Sequence, residues 1–300
     1  MSTLPLAISQ CLSEGLAKIS TSSQVAKIII AGLKEQSSPS VPTIIDTKKI
    51  GRVIQGEVHI RPYKSSDFAT VRDLFIDSNV GPDSFAALLA RDQRTARISL
   101  FLYSLAVLGA LLAFQPHRRT LGIALAFLGV LGSAVYLSIP YFVFKGHLKT
   151  ALNGDMADIP KTFEVTETDD ESELRGKNGF WVAECVGMNG EREVVGCVGM
   201  NANSPGATQI GSTTSELRRM VVSKDYRRRG IAQRLIKAVV EHAKERGVEQ
   251  IYLTTSSYQD AAVKMYLKLG WAVKRHFNPT FLFEKVYIYE LILDVNTCKL

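Results

Sequence analysis

The chain has 300 residues, 46% of them hydrophobic and 22% charged, too apolar for a largely disordered polymer and too charged for a multi-span membrane protein. Lys and Arg number 36 against 29 Asp and Glu, leaving a net charge of +7; that balance suits a polyanionic ligand, an anionic membrane surface or nucleic acid, and the position of the charge must decide. Cys11, Cys185, Cys197 and Cys298 form no C-x-x-C pair, and the five histidines are scattered, so neither a zinc site nor a disulfide framework is expected and the thiols are read as reduced in the cytosol.

Residues 1–56 are read as an N-terminal extension without assigned function and, lacking a basic start, without a cleavable signal peptide. Residues 57–97 open the main folded domain: Val58 to Tyr63 reads as a strand, and a helix capped near Ser65-Ser66-Asp67 runs through Ser78 with Val71, Leu74 and Phe75 on one face. A second helix from Ser84 to Arg97 leads into residues 98–144, read as a membrane-inserted helical hairpin. Its uncharged runs are 17 residues (Ile98 to Phe114) and 25 residues (Thr120 to Phe144). At roughly 1.5 Å per residue they reach about 25 and 37 Å against a hydrocarbon core of about 30 Å, which leaves a full span and a re-entrant hairpin both open. Arg91, Arg94, Arg97, Lys145 and Lys149 flank it, against Arg118 and Arg119 in its turn, so the positive-inside rule puts both flanks in the cytosol.

Residues 145–295 carry the main part of the domain, with 296–300 as a tail. Glu164 to Glu173, six acids and no base, reads as a solvated loop. Strands Phe180 to Val186 and Val194 to Met200 flank an Asn-Gly turn, and a Gly/Ser/Thr loop from Asn203 to Ser215 leads to strand Glu216 to Val222. Helix Ile231 to Arg246, strand Gln250 to Thr254, helix Ala261 to Leu269 and strands Trp271 to His276 and Val286 to Leu293 follow. The fold class is α/β, one mixed sheet with helices on both faces, interrupted by the hairpin.

Chemistry concentrates at Leu217 to Ala232, where a strand ends, a basic turn follows and a helix begins. The helix start offers uncapped N–H groups and the positive end of the dipole, and Gly230 and Ala232 keep side chains out of the way, so a pyrophosphate fits there. Strict alternation puts Leu217, Arg219 and Val221 on one strand face and Glu216, Arg218, Met220 and Val222 on the other, leaving one Arg per side for a substrate. Asp155 and Asp158, three apart, read as sharing one helix face, where they meet an amine or cap and solvate. Cys197 reads as core. The basic cluster is confined to one turn and the hairpin's flank, which argues against nucleic acid.

Arg227-x-x-Gly230-x-Ala232 resembles the acyl-CoA signature of the GNAT superfamily of N-acetyltransferases, and Ala262 to Trp271 resembles that superfamily's A-x-x-x-Y-x-x-x-G-F segment. Asp155 to Ile159 after a hairpin, Phe180 to Ala183 and Val195-Gly196 are similar to its camello-like membrane-bound branch, whose members act on cysteine S-conjugates, free aspartate or protein lysines. The likeness runs from about Val58 to Val295. It departs at Asn153-Gly154, where the branch commonly has His-Thr, and at Gln259, where the superfamily often has Asn.

The resemblance implies acetyl-CoA as cosubstrate, without metal, held by Met220, Val221, Val222, Arg227, Arg228, Arg229, Gly230, Ile231, Ala232 and Gln259. It implies Tyr266 as the acid that protonates the departing thiolate, with Glu216 as a candidate base against the plainer reading of a surface carboxylate. Arg219 would pair a substrate carboxylate, with Asp155 and Asp158 toward the amine. The expected function is acetyl transfer to a small-molecule amine at a membrane, the endoplasmic reticulum by this resemblance, with the catalytic domain facing the cytosol. Protein lysine acetylation and a silent CoA-binding scaffold are the alternatives.

Overall fold

The computed structural model describes residues 56–81, 84–167, 172–280 and 282–298. The extension assigned to residues 1–56 lies outside the described residues except for Gly56, as do residues 299–300 of the tail.

Strand β1 (Gly56–Pro62) is followed by helix α1 (Phe68–Val80), which buries Val71 and Phe75. The next predicted helix is divided. Helix α2 (Phe85–Gln93) starts at Ser84, whose Oγ accepts the Ala87 N–H over 3.2 Å, and stops short of Ala96, which is extended. At the break the Gln93 carbonyl accepts both the Ala96 N–H over 3.2 Å and the Ser99 hydroxyl over 2.6 Å.

Helices α3 (Arg97–Ala113) and α4 (Arg119–Asn153) form the hairpin, α4 running well past the apolar stretch. They touch backbone to backbone: a Cβ at Gly109 would strike Ala126, one at Gly122 would strike Ala113, and one at Gly129 would strike Ala106 and the Leu102 carbonyl. Small residues thus do the packing while Phe101, Val107, Leu111, Ile123, Phe127 and Val130 point outward, the arrangement expected where the surroundings are apolar. Among the described residues one helix, counted from the turn at Pro116 to Asn153, is long and apolar enough to cross a bilayer.

Helix α5 (Ile159–Phe163) precedes β2 (Val165–Glu167) and β3 (Ser172–Leu174), a small antiparallel pair where the sequence suggests a loop. Burial of Val165 and Leu174 at its base explains the difference. Strands β4 (Gly179–Gly187) and β5 (Arg192–Asn201) follow, then a short helix α6 (Pro205–Ile210) inside the supposed Gly/Ser/Thr loop, nucleated by Ser204 as N-cap and Pro205 at the first turn. Strand β6 (Thr214–Val222), helix α7 (Ile231–Glu245), strand β7 (Gln250–Ser256), helix α8 (Asp260–Lys268) and strands β8 (Ala272–Phe277) and β9 (Ile288–Asp294) complete the chain.

The main sheet has the order β1-β4-β5-β6-β7-β9-β8, and of its pairings only β6 with β7 is parallel. Helix α7 packs across β1, β4, β5 and β6 while α1 and α5 pack against β4, β5 and β6, so β4 is buried along nearly its whole length. Leu235, Ile236, Val239 and Val240 of α7 are almost wholly buried, each contributing roughly 1.5–3 kcal/mol.

Two irregularities set the course of β6. Its pairing with β7 covers only Thr214–Glu216 against Gln250–Tyr252, after which the strands part. On the other edge, the β5–β6 register shifts between Cys197 and Gly199, and Arg219 takes a left-handed φ of 53°, a bulge that bends β6.

Gly129→Leu should force α3 and α4 apart at the cost of overpacking, about 1–3 kcal/mol, and lower the unfolding temperature in detergent micelles. Gly132→Ala, whose added Cβ would meet only the flexible Leu102 side chain, should leave that temperature nearly unchanged. Equal temperatures for the two variants would contradict the close packing.

Candidate active site

The basic turn is built to leave amides exposed. Arg227 Nε donates to the Val222 carbonyl over 3.2 Å, and the Tyr226 hydroxyl donates to Glu193 over 2.8 Å, holding the turn on β5. Arg228 and Gly230 have φ of 67° and 77°. Gly230 is the N-cap of α7 and supplies no side-chain cap; an added Cβ would have room, with Gln233 Oε1 at 3.9 Å, so the positive φ and not crowding favours glycine. Arg227, Arg228 and Arg229 are exposed around this helix start, Ile231 is buried beneath it and Ala232 is half-buried. The dipole, the uncapped amides and three guanidinium groups together suit a pyrophosphate. Among the described residues, the edge of β6 from Leu217 to Val222, which includes Met220 and Val221, has no strand partner on the β7 side.

Tyr266 lies on α8 with its hydroxyl donating to Met220 Sδ over 3.1 Å and its ring edge-on to Trp271 at 5.3 Å. The phenol is protonated at neutral pH, and burial pushes its pKa further up. Gln259, the N-cap of α8, accepts a hydrogen bond from Thr255 through Oε1 over 2.7 Å.

The charged cluster departs from strict alternation. Arg219 grips Asp155 with Nε (2.9 and 3.1 Å) and Nη2 (2.8 Å), and its guanidinium also lies 5.2 Å from the centre of the Phe75 ring. Arg218 reaches the same carboxylate at 3.4 Å and Glu216 at 3.8 Å. Both arginines therefore converge on Asp155, because the bulge at Arg219 cancels the one-residue alternation that would have separated them. The Cys197 thiol donates to the Arg219 carbonyl over 3.4 Å; burial pushes its pKa up to about 12, so it serves as a packed anchor. Arg219 and Asp155 side chains are only 11% and 8% exposed, against 28% for Arg218 and 17% for Glu216.

The two aspartates do not share a helix face. Asp155 sits in the turn after α4, whereas Asp158 is the N-cap of α5 and accepts the Lys161 N–H over 3.0 Å. Three neighbours escaped the sequence reading. His147, solvent-accessible on α4, lies within electrostatic reach of Arg219, Arg218 and Asp155. Phe75 carries Arg219, and the Tyr252 ring, with Glu216, faces Gly206 of α6. Their sequence surroundings are an apolar helix and ordinary strand patterns, which offer no local signal. Among the described residues no group of three or more His, Cys, Asp or Glu could hold a metal ion.

The family model described as Acetyltransferase (GNAT) family matches residues 150–271, which contain the basic turn, Tyr266, Gln259 and the Asp155, Arg218, Arg219 and Glu216 cluster, though not Phe75 or His147. N-acetyltransferase 8B of Rattus norvegicus is 30% identical over 245 residues, covering 77% of this chain and 93% of its own. The chain belongs to the GNAT family of N-acetyltransferases. The probable N-acetyltransferase camello of Xenopus laevis is 27% identical over 237 residues, covering 78% of this chain and 95% of its own. As a GNAT enzyme the protein is an acetyl-CoA-dependent acyltransferase, and the parted strands with the basic helix start are the features of its fold suited to such a cosubstrate.

Asp155→Ala would strand the buried Arg219 guanidinium and should cost about 3–5 kcal/mol in a denaturant titration. Asp158→Ala, which removes a helix cap, should cost about 1 kcal/mol. Comparable losses from the two would mean that the Arg219 fork contributes little.

Proposed function

We propose that the protein moves acetyl from acetyl-CoA to the primary amine of a small acceptor that also carries a carboxylate, an amino acid or a cysteine S-conjugate, by direct attack in a ternary complex. The observation that carries this is the convergence of Arg218 and Arg219 on one carboxylate beside the parted end of β6. Arg219 is committed to Asp155 on three hydrogen bonds, so it positions that carboxylate. Arg218, more exposed and held by longer contacts, is the guanidinium free to exchange partners and take an acceptor's carboxylate.

In this reading the pyrophosphate of acetyl-CoA lies on the start of α7 among Arg227, Arg228 and Arg229, at Gly230, Ile231 and Ala232, and its amide-bearing arm pairs with the open edge of β6 at Met220, Val221 and Val222. Gln259 lines the α8 side. Glu216 takes a proton from the acceptor ammonium, directly or through water, and the neutral nitrogen attacks the thioester carbonyl carbon. Collapse of the tetrahedral oxyanion breaks the C–S bond, Tyr266, a phenol protonated at neutral pH, gives its proton to the thiolate, and the proton lost by the newly acylated nitrogen returns to the phenolate, directly or through water. Asp155 and its guanidinium partners orient the acceptor. The hairpin holds the enzyme in a membrane, that of the endoplasmic reticulum on the family resemblance, with the cluster of Arg91, Arg94, Arg97, Lys145 and Lys149 on the cytosolic side.

Free CoA release by the detergent-purified protein, measured across aspartate, cysteine S-conjugates, polyamines and lysine peptides, tests this. The carboxylate-bearing amines should be preferred. Arg218→Met should raise KM for them at least tenfold with acetyl-CoA affinity unchanged, and Tyr266→Phe should lower kcat about 10²-fold or more with the fold intact. Efficient acetylation of internal lysines in carboxylate-free peptides, or an unaltered KM in Arg218→Met, would favour protein acetylation instead.

A further inference from the structure

The close contacts between α3 and α4 fix their relative level. Gly109 lies against Ala126, Gly122 against Ala113 and Gly129 against Ala106, so each residue toward the start of α3 matches one toward the end of α4. The same register sets Arg97 level with Ser138 and Ser99 level with Tyr136. Contacts from the catalytic domain land at this level independently. Arg97 Nε is 3.9 Å from Glu284, the Tyr136 hydroxyl donates to the Leu282 carbonyl over 2.9 Å, and Lys285 reaches Asp92 at 3.9 Å. The connection between β8 and β9 therefore lies across the base of the hairpin.

Beyond Ser138, α4 changes surroundings. Pro140 is buried, and Ile139 and Phe144 pack with Leu89, Phe283 and Val286; Phe85 bridges Phe144 and Tyr258, at 4.6 and 5.2 Å between ring centres. One face of the last part of the 25-residue apolar run is thus domain core. The length left for lipid is set by the shorter arm, about 25 Å at 1.5 Å per residue, slightly less than a hydrocarbon core of about 30 Å. Exposed Tyr141 and Phe142, with Lys145 5.6 Å from the Tyr141 ring centre, stand just outside that depth, where aromatic and basic side chains favour the interface.

We infer that the catalytic domain is seated on the bilayer: the membrane surface passes through Arg97 and Ser138, and the β8–β9 connection rests in the phospholipid headgroup layer, where Arg94, Arg97 and Lys285 meet lipid phosphates. This rests on the membrane reading of the hairpin given under the proposed function. Phospholipid is the occupant because the seat continues the outward apolar faces of α3 and α4, and because Arg91, Arg94, Arg97 and Lys285 are exposed there while Asp92 and Glu284 are partly covered. The seat fixes the height and orientation of the site, since α4 runs unbroken from the bilayer to within two residues of Asp155.

The test uses the full chain in phosphatidylcholine vesicles, with Cys11 and Cys298 replaced by Ser and one fluorescent label at Val107→Cys, Lys285→Cys or Asn189→Cys. All three positions are exposed, so the variants should fold. The Val107 label should be quenched chiefly by mid-chain nitroxide lipid. The Lys285 label should be quenched by headgroup nitroxide lipid at least threefold more than the Asn189 label on the β4–β5 turn. A Lys285 label as open to aqueous iodide as the Asn189 label, with Val107 shielded, would overturn the seat alone. A Val107 label open to iodide would overturn the membrane reading and the seat with it.

Discussion

Strands β6 and β7 are parallel neighbours for three residues, Thr214–Glu216 against Gln250–Tyr252, and then separate. Beyond Glu216 the N–H and C=O groups that β6 turns toward the gap have no strand partner there, so they are met by another strand, by water or by a ligand with strand-like amides. The chain prevents the first outcome structurally. The bulge at Arg219 bends β6, its carbonyl is tied to Cys197 of β5, and Tyr266 reaches from α8 to Met220. The gap is thereby kept open at the place where α7 begins, and in the proposed reading that single opening offers an amide ladder, a helix start and a buried phenol to one extended thioester.

The same bulge ties the cleft to the helical hairpin. Bringing Arg218 and Arg219 together on Asp155 anchors the turn after α4, and α4 is the long arm of the hairpin. Removing two charges from water is costly, and the bidentate geometry with Phe75 beneath the guanidinium offsets it only because all the partners are fixed. Movement of α4 would thus reach Asp155 and its two arginines before the α7 side, which is held by Tyr226 and the β4–β6 core.

Much of this was legible in the sequence. The apolar stripe of α7, the Asn-Gly turn and the order of strands and helices follow from periodicity and turn chemistry, and the Arg227 to Ala232 segment from the needs of an anion at a helix start. The hidden parts were those set by partners far along the chain. A left-handed arginine in a strand has no sequence signature, so the convergence of Arg218 with Arg219 could not be read, nor could the occupation of the Arg219 fork by Asp155, 64 residues away. Domain core and lipid both ask for apolar side chains, so the sequence of the second apolar run could not show that Ile139 and Phe144 pack with Leu89, Phe283 and Val286, all far along the chain.

Hydrogen–deuterium exchange of the full chain with and without acetyl-CoA tests most directly whether the parted strands and the α7 start receive the cosubstrate. Amides of Met220, Val221 and Val222 and of the Arg228 to Ala232 segment should slow at least tenfold on binding, while those in the middle of β4, already buried and paired, stay as they were. Binding that leaves both segments unprotected, or protects a different edge of the sheet, would contradict a cosubstrate held between the parted strands.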